Sequence, residues 1–112
     1  MINRSAIVVR AKRPFLDWLR KLPEPVELDL TLDRINREPT VYLLPSYDDN
    51  HDREQLLTRF HDMIFEAELA EWWVNEADWP LVRDLYAFKE WFDVAFHSAI
   101  ADLVDEPLLD KD

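Results

Sequence analysis

Apolar and polar residues change period several times along this chain, and each change marks an element. Ile7-Val8-Val9 is a continuous β-branched run inside Ser5–Arg10, the pattern of a short strand buried on both faces. Pro14 then stands at the start of a helix, where its missing amide leaves nothing unpaired. Phe15, Trp18, Leu19 and Leu22 follow at i, i+3, i+4 and i+7, which is one face of that helix, and Pro23 and Pro25 stop it. From 26 to 32 the period is two: Val26, Leu28, Leu30 and Leu32 alternate with Glu27, Asp29 and Thr31. Thr31 also reads as an N-cap, so the stretch divides into a strand near 26–30 and a helical turn near 32–37. Thr40–Leu44 is a further strand, framed by Pro39 and Pro45.

Beyond the polar segment 46–50, which ends in good cap residues, the period becomes helical from about His51 to Trp73. Leu56, Leu57, Phe60, Met63, Ile64 and Ala67 form its apolar stripe, widened near the end by Phe65, Leu69, Trp72 and Trp73. Residues 75–79 and Pro80 break it. A last helix is expected from about Asp84 to Val104, with Leu85, Phe88, Phe92, Ala95/Phe96, Ala99 and Leu103 facing the core and Trp91 off to one side. An acidic, frayed tail follows from Asp105. The resulting order, β-α-β-(β)-α-α, is a single α+β domain over residues 1–112. Its expected form is a small two- to three-stranded sheet covered by one short and two long helices.

Composition narrows the chemistry. None of the 112 residues is glycine, so dinucleotide-binding turns, Walker loops and nucleophile elbows cannot be written in this alphabet. Proline, with seven residues, punctuates instead, and tight two-residue hairpins are not expected. Cysteine is also missing, which removes thiol catalysis, disulfides and cysteine-ligated zinc. No apolar run approaches the roughly 20 residues of a membrane span, and the N-terminal apolar run is too short for a signal peptide. The expected compartment is therefore the cytoplasm. The net charge of −11 is uneven: residues 1–40 sum to +2 and residues 41–112 to −13. Nucleic-acid binding, which requires phosphate neutralisation, is disfavoured.

Three constellations carry what chemistry remains. Asp93 and His97 stand four apart, within mutual reach on a helix, with His61 and Glu68 of the preceding helix as further donors for a metal or acid–base site. The bland reading is a surface pair, and no Glu-x-x-His signature accompanies it; neither a metal nor another cofactor is expected. Ser98 lies beside His97, but adjacent helical positions diverge by about 100°, so no nucleophile–base pair forms. Trp72, Trp73 and Trp79, rimmed by Glu71 and Glu76, form an aromatic corner that either plugs the core or docks a partner, with Trp73 or Trp79 the ring expected to be exposed. Glu66, Glu68, Glu71, Glu76 and Asp78 could together imitate phosphate spacing as a DNA mimic does, although such a run is usually a solvated face.

The stretches Arg4–Leu19, Thr40–Pro45, Trp91-Phe92-Asp93 and Phe96-His97-Ser98 together resemble a group of small bacterial proteins with no assigned activity. That resemblance implies a bacterial cytoplasmic protein and keeps Trp91, Asp93 and His97 together as residues to test. The sequence thus favours a non-enzymatic interaction or regulatory module. Its tryptophan corner would dock a basic protein partner or a second copy, with neither nucleic acid nor membrane as ligand. The alternatives are a small metal-dependent or acid–base enzyme using Asp93, His97 and His61, and the DNA mimic.

Overall fold

The computed structural model describes residues 2–24 and 29–109. In chain order the elements are strand β1 (Arg4–Ala11), helix α1 (Arg13–Arg20), the one-turn helix α2 (Leu32–Ile35), strand β2 (Thr40–Pro45), helix α3 (Asn50–Trp72), a 3-10 turn (Glu76–Asp78), helix α4 (Leu85–Trp91) and strand β3 (Phe92–His97). The expected strand near 26–30 falls largely outside the described residues.

The three strands form one antiparallel sheet in the order β2-β1-β3. The register places Ile7 opposite Tyr42 on one side and Phe96 on the other, and Val9 opposite Thr40 and Val94. Those residues, with Ala11, Leu44 and Phe92, face the helices. Ala6, Val8, Arg10, Val41, Leu43, Asp93, Ala95 and His97 share the opposite face. The α+β class stands as the pattern predicted, and all the described helices pack against one face of the sheet.

The expected helix over 84–104 is corrected. It is helical only to Trp91, passes directly into β3, and has no regular structure over residues 98–109. The sequence allowed both periods: Phe88, Phe92 and Phe96 repeat at helical spacing, while Phe92, Val94 and Phe96 alternate with Asp93, Ala95 and His97. Pairing decides between them, because β1 has a second edge to satisfy and a Phe-x-Val-x-Phe segment fits a half-buried pleat. The helical layer therefore holds one long helix, not two.

Local chemistry explains the ends of the elements. Asp49 caps α3 by accepting from the His51 and Asp52 amides, and Asp52 reaches back to the Asp49 amide in a capping box. Asp84 caps α4 through the Ala87 amide, and Thr31 caps α2 through the Arg34 amide. Among the described residues none has positive φ. Helices α3 and α4 accordingly end by switching to extended backbone, at Trp73 and Phe92, without the left-handed cap that glycine normally supplies.

The core is aromatic. Phe65 of α3 is fully buried, with ring centroids 5.1 Å from Phe92, 5.3 Å from Trp91 and 6.2 Å from Phe88. Phe15 joins from α1 against Phe92 and Trp18. Tilted and edge-on contacts such as these add to the burial of area itself. Trp91, expected to one side, is half-buried within this cluster.

Candidate functional site

The tryptophan corner is held together by its own polar atoms. The Trp73 indole N–H donates to the Asp78 carboxylate (2.9 Å), that of Trp79 to the Trp73 carbonyl (2.8 Å), and that of Trp18 to the Asp78 carbonyl (2.9 Å). Trp79 is 8% exposed and Trp73 half-buried, so neither is the exposed ring that the sequence suggested. The physical reason is satisfaction: a buried indole N–H needs an acceptor, and the 3-10 turn at Glu76–Asp78 supplies two of them. Arg83 closes the corner, its guanidinium 5.7 Å from the Trp79 ring centroid and 3.6 Å from the Glu66 carboxylate.

Asp93 and His97 stand on β3 rather than on a helix. Four residues along a strand separate them by about 13 Å, so the spacing that would join them at one ligand is lost. Both are exposed on the face of the sheet opposite the helices. His61 lies in the helical layer, its Nδ1 within hydrogen-bond distance of the Leu57 and Thr58 carbonyls and its ring 6.4 Å from Phe88. The sheet stands between them. Among the described residues no group of three or more His, Cys, Asp or Glu side chains is placed to hold a metal ion.

The five carboxylates of the phosphate-mimic reading have separate occupations. Glu66 pairs with Arg83, Asp78 accepts from Trp73, and Glu68 accepts from Tyr42, while Glu71 and Glu76 remain exposed.

A different constellation converges. Between the β1–β2 floor, the α2–β2 connection and the last turns of α3 lies a cleft of about 290 Å³. Val9, Ala11, Phe15, Ile35 and Trp72 give it apolar walls, and Glu38, Glu68 and Glu71 bring three carboxyl groups to it. Among the described residues no lysine, arginine or histidine lines it. Asn36 fixes one rim: its amide accepts from the Ala11 N–H (2.7 Å) and donates to the Ala11 carbonyl (2.9 Å). The pairing of β1 with β2 reaches only to Val9–Thr40, and the Asn36 side chain substitutes for the neighbouring backbone beyond that point.

The opposite rim is electrostatically poised. The Tyr42 hydroxyl donates to Glu68 Oε2 at 2.5 Å. Burial holds the Glu68 carboxyl above its ordinary range; hydrogen bonds from Tyr42 and Thr40 oppose that shift, and the charge of Glu71 adds to it. The Tyr42 phenol is pushed up as well, first by burial and then by its bond to Glu68 and the charges of Glu68 and Glu71. Two carboxyl groups and a phenol thus meet here, with no counter-cation lining the cleft among the described residues. A positive group entering this cleft would relieve the repulsion between Glu68 and Glu71 and favour the charged form of Glu68.

Glu68 and Glu71 stood out in the sequence in other roles, and Trp72 as part of the corner. Asn36, Glu38, Thr40 and Tyr42 did not, because no local spacing links them to α3. A tyrosine on the inward side of a strand otherwise lined by Thr40 and Leu44 was the available signal, since a buried phenol needs a partner.

Comparison with family models, with curated proteins and with solved structures returns no match. No helix among the described residues is long and apolar enough to cross a membrane.

Proposed function

We propose that this protein is a non-enzymatic interaction module that captures a basic segment of a partner protein by taking a lysine or arginine side chain into the cleft beside Trp72. The observation that carries the reading is the lining itself: three carboxyl groups and an indole around an apolar floor, with no basic residue among them. The aliphatic stem of lysine or arginine suits the floor, and its charged head suits the carboxylates. Trp72 offers a ring face for a cation–π contact. The charge of −13 over residues 41–112 supports the same partner, since an acidic field speeds the approach of a basic one. The docking element narrows to one edge of the corner: Trp73 and Trp79 hold the frame, while Trp72 and Glu71 meet the ligand together with Glu68 and Glu38.

Fluorescence anisotropy with a labelled lysine-rich peptide tests this. Glu71→Gln and Glu38→Gln are each expected to weaken binding about 2- to 5-fold, the scale of an exposed ion pair. Glu90→Gln, on the far helix α4, changes the net charge equally and serves as the control. Equal losses in all three variants would show a diffuse field effect and overturn the cleft. Binding should also strengthen as pH rises through the Glu68 titration, and Glu68→Gln should flatten that dependence.

A further inference from the structure

The face of the sheet turned away from the helices is the other unexplained surface. An antiparallel sheet with one wet face ordinarily alternates apolar-in with polar-out. Here the outward positions include Val8 and Ala95, both half-buried, and Val41 and Leu43, which are 55% and 46% exposed. At the ends of this apolar strip stand Arg4 and Arg10 from β1, against one carboxylate, Asp93. In a chain of net charge −11 this face is locally basic.

The same molecule exposes a segment of complementary character. Residues 98–109 have no regular structure; Leu103 and Val104, then Leu108 and Leu109, are exposed apolar pairs, and Asp102, Asp105 and Glu106 accompany them. The Ile2 N–H donates to the Ile100 carbonyl (3.0 Å), which carries the line of β3 to the N-terminal end of β1, and residues 101–109 beyond it are all exposed. A tight reversal there, back over its own sheet, would use the turn conformations that glycine supplies, and none is present. The radius of gyration, 15.4 Å, exceeds the roughly 13 Å of a compact chain of this size, consistent with a projecting segment. Extended, residues 103–109 reach up to about 20 Å, enough to cross three strands spaced about 4.8 Å apart.

We infer that the outer face of the sheet seats residues 101–109 of a second copy of this chain, so that two copies exchange their C-terminal segments. One side chain of each pair, Leu103/Val104 and Leu108/Leu109, lies on Val8, Val41, Leu43 and Ala95 of the other copy, since neighbours in an extended segment point to opposite sides. The acidic residues of the segment meet Arg4 and Arg10 there. This contact uses the opposite side of the sheet from the cleft and stands independently of the proposed function.

Sedimentation equilibrium of the full chain over a wide concentration range tests it, alongside a tail variant (Leu103→Asp with Leu108→Asp) and a face variant (Val41→Lys with Leu43→Lys). The full chain should pass from the mass of one copy to that of two, and each variant alone should remain a single copy with an unchanged circular-dichroism spectrum. Mixing the two variants should restore association in part, because the intact tail of one meets the intact face of the other. The exchange is overturned if the full chain stays a single copy, if the tail variant pairs as well as the unaltered chain, or if the mixture fails to associate. Should the face variant misfold, the tail variant alone decides.

Discussion

The two faces of the sheet are built from the same three strands and have opposite finish. On the inner face Ile7, Val9 and Phe92 are almost completely buried, and the aromatic rings of α1, α3 and α4 interlock over them. Polar atoms on that side are satisfied too: the indoles of Trp18, Trp73 and Trp79 all have acceptors, and no buried side-chain polar atom among the described residues lacks a partner. The outer face is only partly covered: Ala6 is buried and Val8 half-buried, while Val41 and Leu43 stand exposed. Most of the packing therefore lies on one side of β1, and the exposed positions of the other side, Val41 and Leu43, should tolerate change at small cost to the fold. The cleft belongs to the border of the finished side, where the packed layer opens between α2 and α3 and three carboxyl groups line the opening.

Substitutions should divide the two faces by size of effect. Phe65→Ala removes the ring that joins α3, α4 and β3, and should cost about 3–5 kcal/mol in chemical denaturation. A loss below that scale would mean that the inner layer is less tightly packed than its contacts indicate. Asn36→Ala strands the amide and carbonyl of Ala11 at the end of β1 and should cost about 1–3 kcal/mol in the same assay. Asn36→Asp, which retains the acceptor and loses the donor, should fall between the two.

Glu68 makes a smaller and pH-dependent contribution. Its carboxyl binds a proton more firmly in the folded chain than in the unfolded one, so the folded state holds more protons between the ordinary value of 4.5 and the raised one. Stability from this group is present below that window and declines as pH rises through it. Melts of Glu68→Gln should lack that decline, and an identical slope in both proteins would remove Glu68 as its source. Last in size is Leu43→Lys on the outer face, expected within about 0.5 kcal/mol of the unaltered chain. A large loss there would mean that the outer face is already part of the core.

Much of the frame could be read from sequence because its signals are local. The β-branched run at Ile7–Val9, the proline-framed strand at 40–44 and the Thr31 cap appear in the structure, and the stripe of α3 buries Leu56, Leu57, Ile64, Phe65 and Leu69 but leaves Met63 and Ala67 exposed. Strand β3 was hidden because Phe92 and Phe96 satisfy both periods, and only the free edge of β1 breaks the tie. The continuous run at Ile7–Val9 suggested burial on both faces, yet Val8 is covered only in part, since a central strand needs cover on one side alone. The cleft was less legible still. Asn36, Tyr42 and Glu68 come from three segments, and their meeting is a product of the register, not of any spacing. The tryptophan corner shows the reverse error: a dense cluster in sequence looked like surplus surface, and the 3-10 turn following α3 absorbed it.

The absence of any positive φ among the described residues has a consequence for how this sequence can vary. In most domains a few backbone positions admit essentially one amino acid, and they anchor a lineage's recognisable signature. The described backbone makes no such demand, so its turns are set by side-chain caps such as Thr31, Asp49 and Asp84 and by packing. Side-chain complementarity alone would then constrain drift, and homologues of this fold could diverge in sequence without leaving the usual invariant glycines to mark their kinship.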